Sequence, residues 1–302
     1  MVEYVGLTLA VSLALGALGA VGPRFDGRSF GGFLAHRLVC AIGRGCHDGD
    51  RELTRAYGAP GASLARGYAP SIVYERGEPS LPVDYRRCHS HRCADAPEGR
   101  DLDVHRSRTG QRATAFVRLV RRRGRTYLEY WLYYPDSNTT WAASDKVWRY
   151  SPLRLLGRYP GYHLDDWEGY EVRIEPNGSV WARATAHGHY QGCKEAICRN
   201  RWMRSTGWTR VSRGSHAGHI PFDVLFRRRP PAATPWLDIG LLRFVPRYPG
   251  PEMPERTTTA EGLRLVPLER VSHRGYRPLD RDAPVEPPWA KRAYVDPESD
   301  KS

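Results

Sequence analysis

Tyr162-His163-Leu164-Asp165-Asp166-Trp167-Glu168, in the middle of a 302-residue chain, is the densest cluster of metal-capable side chains in the sequence. It runs into Glu171-Val172-Arg173-Ile174-Glu175, which alternates charged and apolar residues. Pro176-Asn177-Gly178 and the returning Val180-Trp181-Ala182-Arg183-Ala184-Thr185-Ala186 follow. Period-two alternation marks a half-buried strand and Asn-Gly marks a tight turn, so this stretch predicts an antiparallel hairpin. Successive side chains of an extended segment point to opposite faces. Asp166 and Glu168 then share one face, Trp167 enters a core from the other, and His163 folds over the acidic face from a bend. Like charges on one face repel. A bound divalent cation would account for the pair, and a solvated strand anchored by its Trp is the plainer alternative.

Upstream, Ala115 to Val120 leads through Arg123-Gly124 into Thr126-Tyr127-Leu128-Glu129-Tyr130-Trp131-Leu132-Tyr133-Tyr134, an aromatic strand suited to a pleated, half-buried surface. It ends at Pro135-Asp136-Ser137-Asn138. Ser71 to Tyr74 is a shorter strand. Downstream, hairpin geometry carries His187-Gly188-His189-Tyr190 back to the end of the sheet that holds Asp166. Gly214-Ser215-His216-Ala217-Gly218-His219 follows, and residues 220 to 302 read as Pro-rich wrapping with one or two strands. The fold class expected is mainly β: an antiparallel β-sandwich with long irregular loops and an N-terminal hydrophobic helix. Residues 1–22 form a transmembrane anchor or signal segment, 23–66 an irregular tether, and 67–302 one β-sandwich domain.

The uncharged run from Val5 to Gly22 is long enough to cross a bilayer. No basic residue precedes it, and Arg24, Arg28, Arg37 and Arg44 follow it, a pattern that puts the body in the cytoplasm by the positive-inside rule. The cysteines argue for the other side. Six of them fall into close pairs, Cys40/Cys46, Cys88/Cys93 and Cys193/Cys198, as in loop-stapling disulfides of exported proteins. A membrane-anchored extracytoplasmic domain, or a secreted one, is the expectation. His89 and His91 between Cys88 and Cys93 make zinc the competing reading for that pair.

The formal net charge is +13, and only four of the 46 basic residues are lysines: 146, 194, 291 and 301. Such a charge favours anionic partners, a glycan or a lipid headgroup. No nucleic-acid-reading motif accompanies it. No Gly-x-Ser-x-Gly elbow is present, and every Cys has a near partner, which argues against a nucleophilic hydrolase.

Polar clusters thus fall at predicted strand ends: Asp136, then His163 with Asp166 and Glu168, then His187 with His189, then His216 with His219. Oxygen donors with one imidazole suit a hard or borderline cation, Mg²⁺, Ca²⁺ or Mn²⁺. His187 and His216 are the candidates for acid–base work.

Tyr68-Ala69-Pro70, Gly77-Glu78, Pro82, Tyr130 to Pro135, Asp166-Trp167-Glu168 and Gly214-Ser215-His216-Ala217 together resemble the vacuolar protein sorting-associated protein 62 family across roughly residues 66 to 220. Tyr162 to Glu168, Tyr133-Tyr134-Pro135-Asp136 and His187-Gly188-His189-Tyr190 more distantly resemble the necrosis- and ethylene-inducing-peptide-like cytolysins. That second resemblance implies a β-sandwich and a divalent cation held by Asp136, His163, Asp166 and Glu168. The chain departs from the cytolysin pattern at Tyr162, where the family has Gly, and at Asp165, where it has His. The Lys expected before Asp136 is also absent. The resemblance implies the metal pocket rather than cytolysis. The leading expectation is a cation-binding protein that engages a glycan or lipid headgroup, with a metal-dependent hydrolase and a non-catalytic surface protein as alternatives.

Overall fold

The computed structural model describes residues 48–97, 102–138, 162–186, 188–192, 200–220, 255–280 and 284–302. The Val5–Gly22 run, Cys40, Cys46, Cys193, Cys198, His187 and the three arginines at 227–229 lie outside them. Among the described residues no helix is long and apolar enough to cross a membrane.

The strands are β1 (Ser71–Tyr74), β2 (Thr114–Arg122), β3 (Arg125–Asn138), β4 (Tyr162–Ile174), β5 (Val180–Ala186), β6 (His189–Gln191), β7 (Met203–Arg204), β8 (Trp208–Val211), β9 (Gly218–His219), β10 (Arg256–Thr258) and β11 (Arg264–Pro267). The larger sheet runs β11-β2-β3-β4-β5-β6 with β7 on β5, and the smaller runs β10-β1-β8-β9. The two predicted hairpins form as read. Val117 pairs with Tyr130 across a turn in which Arg123 and Gly124 both take positive φ, and Val172 pairs with Ala182 around Asn177-Gly178. The sheets are mixed rather than wholly antiparallel, because β11 joins β2, and β1 joins β8, in parallel. Those pairings link segments far apart in sequence, so no local turn signal announces them.

The large sheet is buried on both faces. Leu128, Tyr130, Leu132, Tyr134, Tyr170 and Val172 pack against Ile72, Tyr74 and Val211 of the small sheet. Phe116, Trp131, Tyr133 and Trp167 face the other way, under Tyr85, Leu268 and Ala293. Trp167 therefore points away from Asp166 and Glu168, as alternation requires.

One expectation is corrected. Part of the predicted tether is a helix, α1 (Asp48–Gly67), kinked at Gly58. Leu53, Ala62 and Ala65 enter the core between the sheets. Tyr130 donates to the carbonyl of Ala65 at 2.7 Å, and Arg66 to those of Ala260 and Leu263. The packed body thus starts before Tyr68. Gly58 and Pro60, which normally end helices, hide the helix from a sequence reading.

The C-terminal segment 284–302 crosses the outer face of the large sheet. Arg183 donates to the carbonyls of Pro297 and Ser299. Arg122 meets Asp296 at 2.6 Å, and Arg173 meets Glu298 at 3.1 Å. Cys88 and Cys93 form a disulfide with Cα atoms 5.7 Å apart, so they do not act as zinc thiolates. His89 stacks on Tyr85 beside that loop.

Candidate functional site

β4 loses its partner part-way along. Its pairing with β5 ends at Tyr170 opposite Ala184, and the last β5 residues, Thr185 and Ala186, pair with Tyr190 and His189 of β6. The open edge of β4 is satisfied by side chains instead. The Gly169 amide donates to the Thr185 hydroxyl at 2.5 Å, and the Trp167 carbonyl accepts from Lys291 Nζ at 3.3 Å. A cleft of ≈ 380 Å³ opens there, lined among others by Ser137, His163, Asp166, Glu168, Ser215 and Lys291.

Asp166 and Glu168 share this cleft, as their spacing predicts. His163 joins them, its Nε2 3.9 Å from Asp166 Oδ1. Strict alternation would put His163 on the far face with Trp167. The phase shifts at Asp165, which takes φ +59°. Pro135 lies across from it in β3 and has no N–H to complete the ladder. Asp165 itself turns to the outer face, accepting from the Tyr133 hydroxyl at 2.6 Å and from the Leu279 amide.

The same shift governs Asp136. Ser137, directly opposite His163, lines the cleft. Asp136 is not among the residues that line it. The structure thus brings His163, Asp166 and Glu168 together and leaves Asp136 out.

His216 reaches the acids from below. It sits in the turn between β8 and β9 with φ +51°, its ring stacked on Tyr134 at 3.9 Å. Nδ1 is 2.8 Å from Asp166 Oδ2, and Nε2 is 3.4 Å from Glu78 Oε1. Burial alone would drive this imidazole towards neutrality. The Glu78 charge and the hydrogen bond to Asp166 outweigh it and hold the ring protonated, at about 10. At 1% exposure, with Nδ1 on Asp166 and Nε2 facing Glu78, His216 clamps Asp166 from within the fold.

Glu78 is the residue that sequence reasoning passed over. It accepts from the amides of Ser80 (2.7 Å) and Gly214 (2.6 Å), which fixes it under His216. Gly77, next to it, takes φ +86°, a conformation that glycine adopts without strain. Gly77-Glu78, Asp166-Trp167-Glu168 and Gly214 to Ala217, far apart in the chain, meet in one chain of contacts.

Burial and the neighbouring Asp166 charge push the Glu168 carboxyl well above the ordinary range, against the pull of the Thr185 hydroxyl, Lys291 and His216. Two carboxylates and an imidazole are donors of the kind a hard or borderline divalent ion takes. Their spacing is looser than a closed site: among the described residues, no group of three or more His, Cys, Asp or Glu side chains is close enough to hold a metal.

No family model matches this chain, and no curated protein matches it. Some solved structures are similar to part of it. NLPPya in complex with glucosamine matches at 14% identity and a TM-score of 0.30, over 54% of this chain and 67% of that one. A structure described as a toxin fold for microbial attack and plant defense matches at 14% and 0.28, over 50% and 62%. Necrosis and Ethylene inducing Protein 2 from the causal agent of cocoa's Witches Broom disease matches at 19% and 0.24, over 42% and 51%. The last of these carries the necrosis- and ethylene-inducing name. None of the comparisons returns the vacuolar protein sorting-associated protein 62 family. At such scores no functional conclusion passes to this chain, and the reading below rests on the cleft.

Proposed function

We propose that the cleft at the open edge of β4 binds a sugar, free or as a lipid headgroup, with a divalent cation held by His163, Asp166 and Glu168. The observation that carries this reading is the placement of Asp166 and Glu168 side by side where the backbone ladder is open. A fold staple would have no need of a cleft beside its acids. The cleft is of monosaccharide-binding size, and Ser137, Ser215 and the carboxylates offer the hydroxyl and acid partners that sugar hydroxyls take. His163, Asp166 and Glu168 would hold the cation, which would supply Lewis acidity to the ligand. The Cys88–Cys93 disulfide favours an oxidising, extracytoplasmic setting, and the net charge favours an acidic sugar or an anionic membrane. Binding is favoured over hydrolysis because His216 is buried, with 1% exposure, against Asp166 and Glu78.

The test uses the full chain made under oxidising conditions. Bound Mg, Ca and Mn are measured by elemental analysis, and binding is read on a glycan array containing uronic acids and on phosphatidylinositol vesicles. Wild type should bind sugar or vesicle in a chelator-sensitive way, and a folded Asp166→Ala/Glu168→Ala variant should not. A well-folded wild type that binds neither metal nor any glycan or vesicle ends this reading.

A further inference from the structure

Segment 284–302 walls one side of the cleft with Glu286, Lys291 and Ser302, facing His163, Asp166 and Glu168 of the sheet. Its two parts are held differently. Trp289 packs among Tyr85, Trp167 and Tyr276, with ring centroids 6.5, 6.3 and 5.4 Å away. Beyond it the attachment is polar. Arg118 of β2 donates to the Tyr294 carbonyl at 2.5 Å and lies 3.8 Å from the centroid of its ring. Glu298 is a hub: it accepts from Tyr127 of β3 at 2.6 Å and from Trp202 at 3.2 Å, and it pairs with Arg125 and Arg173. The Tyr190 amide of β6 donates to the Asp300 carbonyl at 2.8 Å. Together with the Arg122, Arg183 and Lys291 contacts described above, every strand from β2 to β6 holds the segment by a polar group.

The apolar hold over 291–302 is small. Ala293 and Pro297 are buried, Tyr294 is half-buried and Val295 is 80% exposed. The face beneath is charged to match, with Glu129, Glu171 and Arg183 all buried there. Burial pushes the Glu171 and Glu129 carboxyls up, a cost that water reaching this face would relieve. Uncovering apolar surface is opposed by water, whereas uncovered charges are solvated again. A segment held by charge therefore opens at less cost than one held by packing.

We propose that residues 291–302 form a strap that lifts from β2–β6 as one unit, rooted at Trp289, while both sheets stay folded, and that its lifting opens the cleft along the wall that carries Lys291 and Ser302. This goes beyond the sugar reading and stands whatever the cleft binds.

The experiment follows hydrogen exchange by mass spectrometry, with timed acetylation of lysines by acetic anhydride, on the full chain made under oxidising conditions. Wild type is compared with Asp296→Ala/Glu298→Ala, which removes the partners of Arg122, Arg125, Arg173 and Tyr127 and none of the residues that line the cleft. In wild type, residues 291–302 should exchange together, at least about a hundredfold faster than the β3–β4 ladder. Lys291 should acetylate more slowly than the exposed Lys301. The variant should raise the exchange of 291–302 and the acetylation of Lys291 by about tenfold or more, and leave β3–β4 and Lys301 unchanged. NaCl at about 1 M, which cuts the reach of a charge to about 3 Å, should speed the wild-type strap in the same way. Strap amides that exchange only at the β3–β4 rate overturn the proposal, as does a variant that speeds both alike. A rate gradient rising towards Ser302 is fraying and overturns it too, and so does Lys291 acetylation that stays fixed while strap exchange rises. If the variant does not fold, the salt series on wild type decides: strap exchange unchanged by salt overturns the proposal.

Discussion

At one end of β4, Glu171 lies 2.8 Å from Arg183, both of them buried and directly opposite in the β4–β5 ladder. At the other end, Asp166 and Glu168 sit where that ladder has ended, with an imidazolium from a distant turn on Asp166 and an ammonium from the C-terminal segment on the Trp167 carbonyl between them. The first arrangement puts acid and base on neighbouring strands, where the fold itself holds them. The second draws its positive charge from side chains that other segments must deliver. Strand-paired charge is architecture, and borrowed charge beside a cleft is a place where something else can bind.

The largest effect should come from breaking the strand-paired end. Arg183→Met leaves Glu171 buried without its partner and should cost about 3–5 kcal/mol in denaturant unfolding, more at pH 9 than at pH 5. A loss below about 1 kcal/mol would remove the contrast between the two ends. Burial pushes Glu171 to about 8 and Glu129 to about 7, despite an arginine beside each. Both values lie above those of the unfolded chain. Their contribution to stability is therefore full below the ordinary carboxylate range and is lost as the pH rises through 7 to 8. Glu171→Gln should flatten that part of the stability–pH profile.

At the cleft end, Asp166→Asn removes a charged hydrogen-bond partner from His216 and should cost about 2 kcal/mol. It should also abolish ligand and metal binding, which Arg183→Met, so far as it folds, should spare. Equal loss of binding in both would mean that stability alone is being read.

Gly77→Ala sharpens the comparison by acting at a distance. A side chain at φ +86° costs about 1–2 kcal/mol. Displacing Glu78 should also loosen His216 and weaken binding several-fold, checked by the same titrations. The smallest effect is expected at Glu298, which meets Arg125 and Arg173 near the surface. Glu298→Gln should change stability by less than about 1 kcal/mol.

Much of this was legible in the chain. Period-two patterning and Asn-Gly predict both hairpins, and the spacing of Asp166, Trp167 and Glu168 predicts which face each takes. Alternation fails at Asp136 because it assumes an unbroken pleat, and Pro135 with Asp165 breaks it. Glu78 and His216 approach Asp166 from another sheet, and no periodicity reports a contact between segments so far apart.

The shift of phase at Asp165 has a use in protein engineering. Beyond it, Ser137 rather than Asp136 stands opposite His163 in the ladder. A third carboxylate could be installed with one codon: Ser137→Asp would add an acid to the wall of the cleft, turning a loose set of donors into a designed chelate.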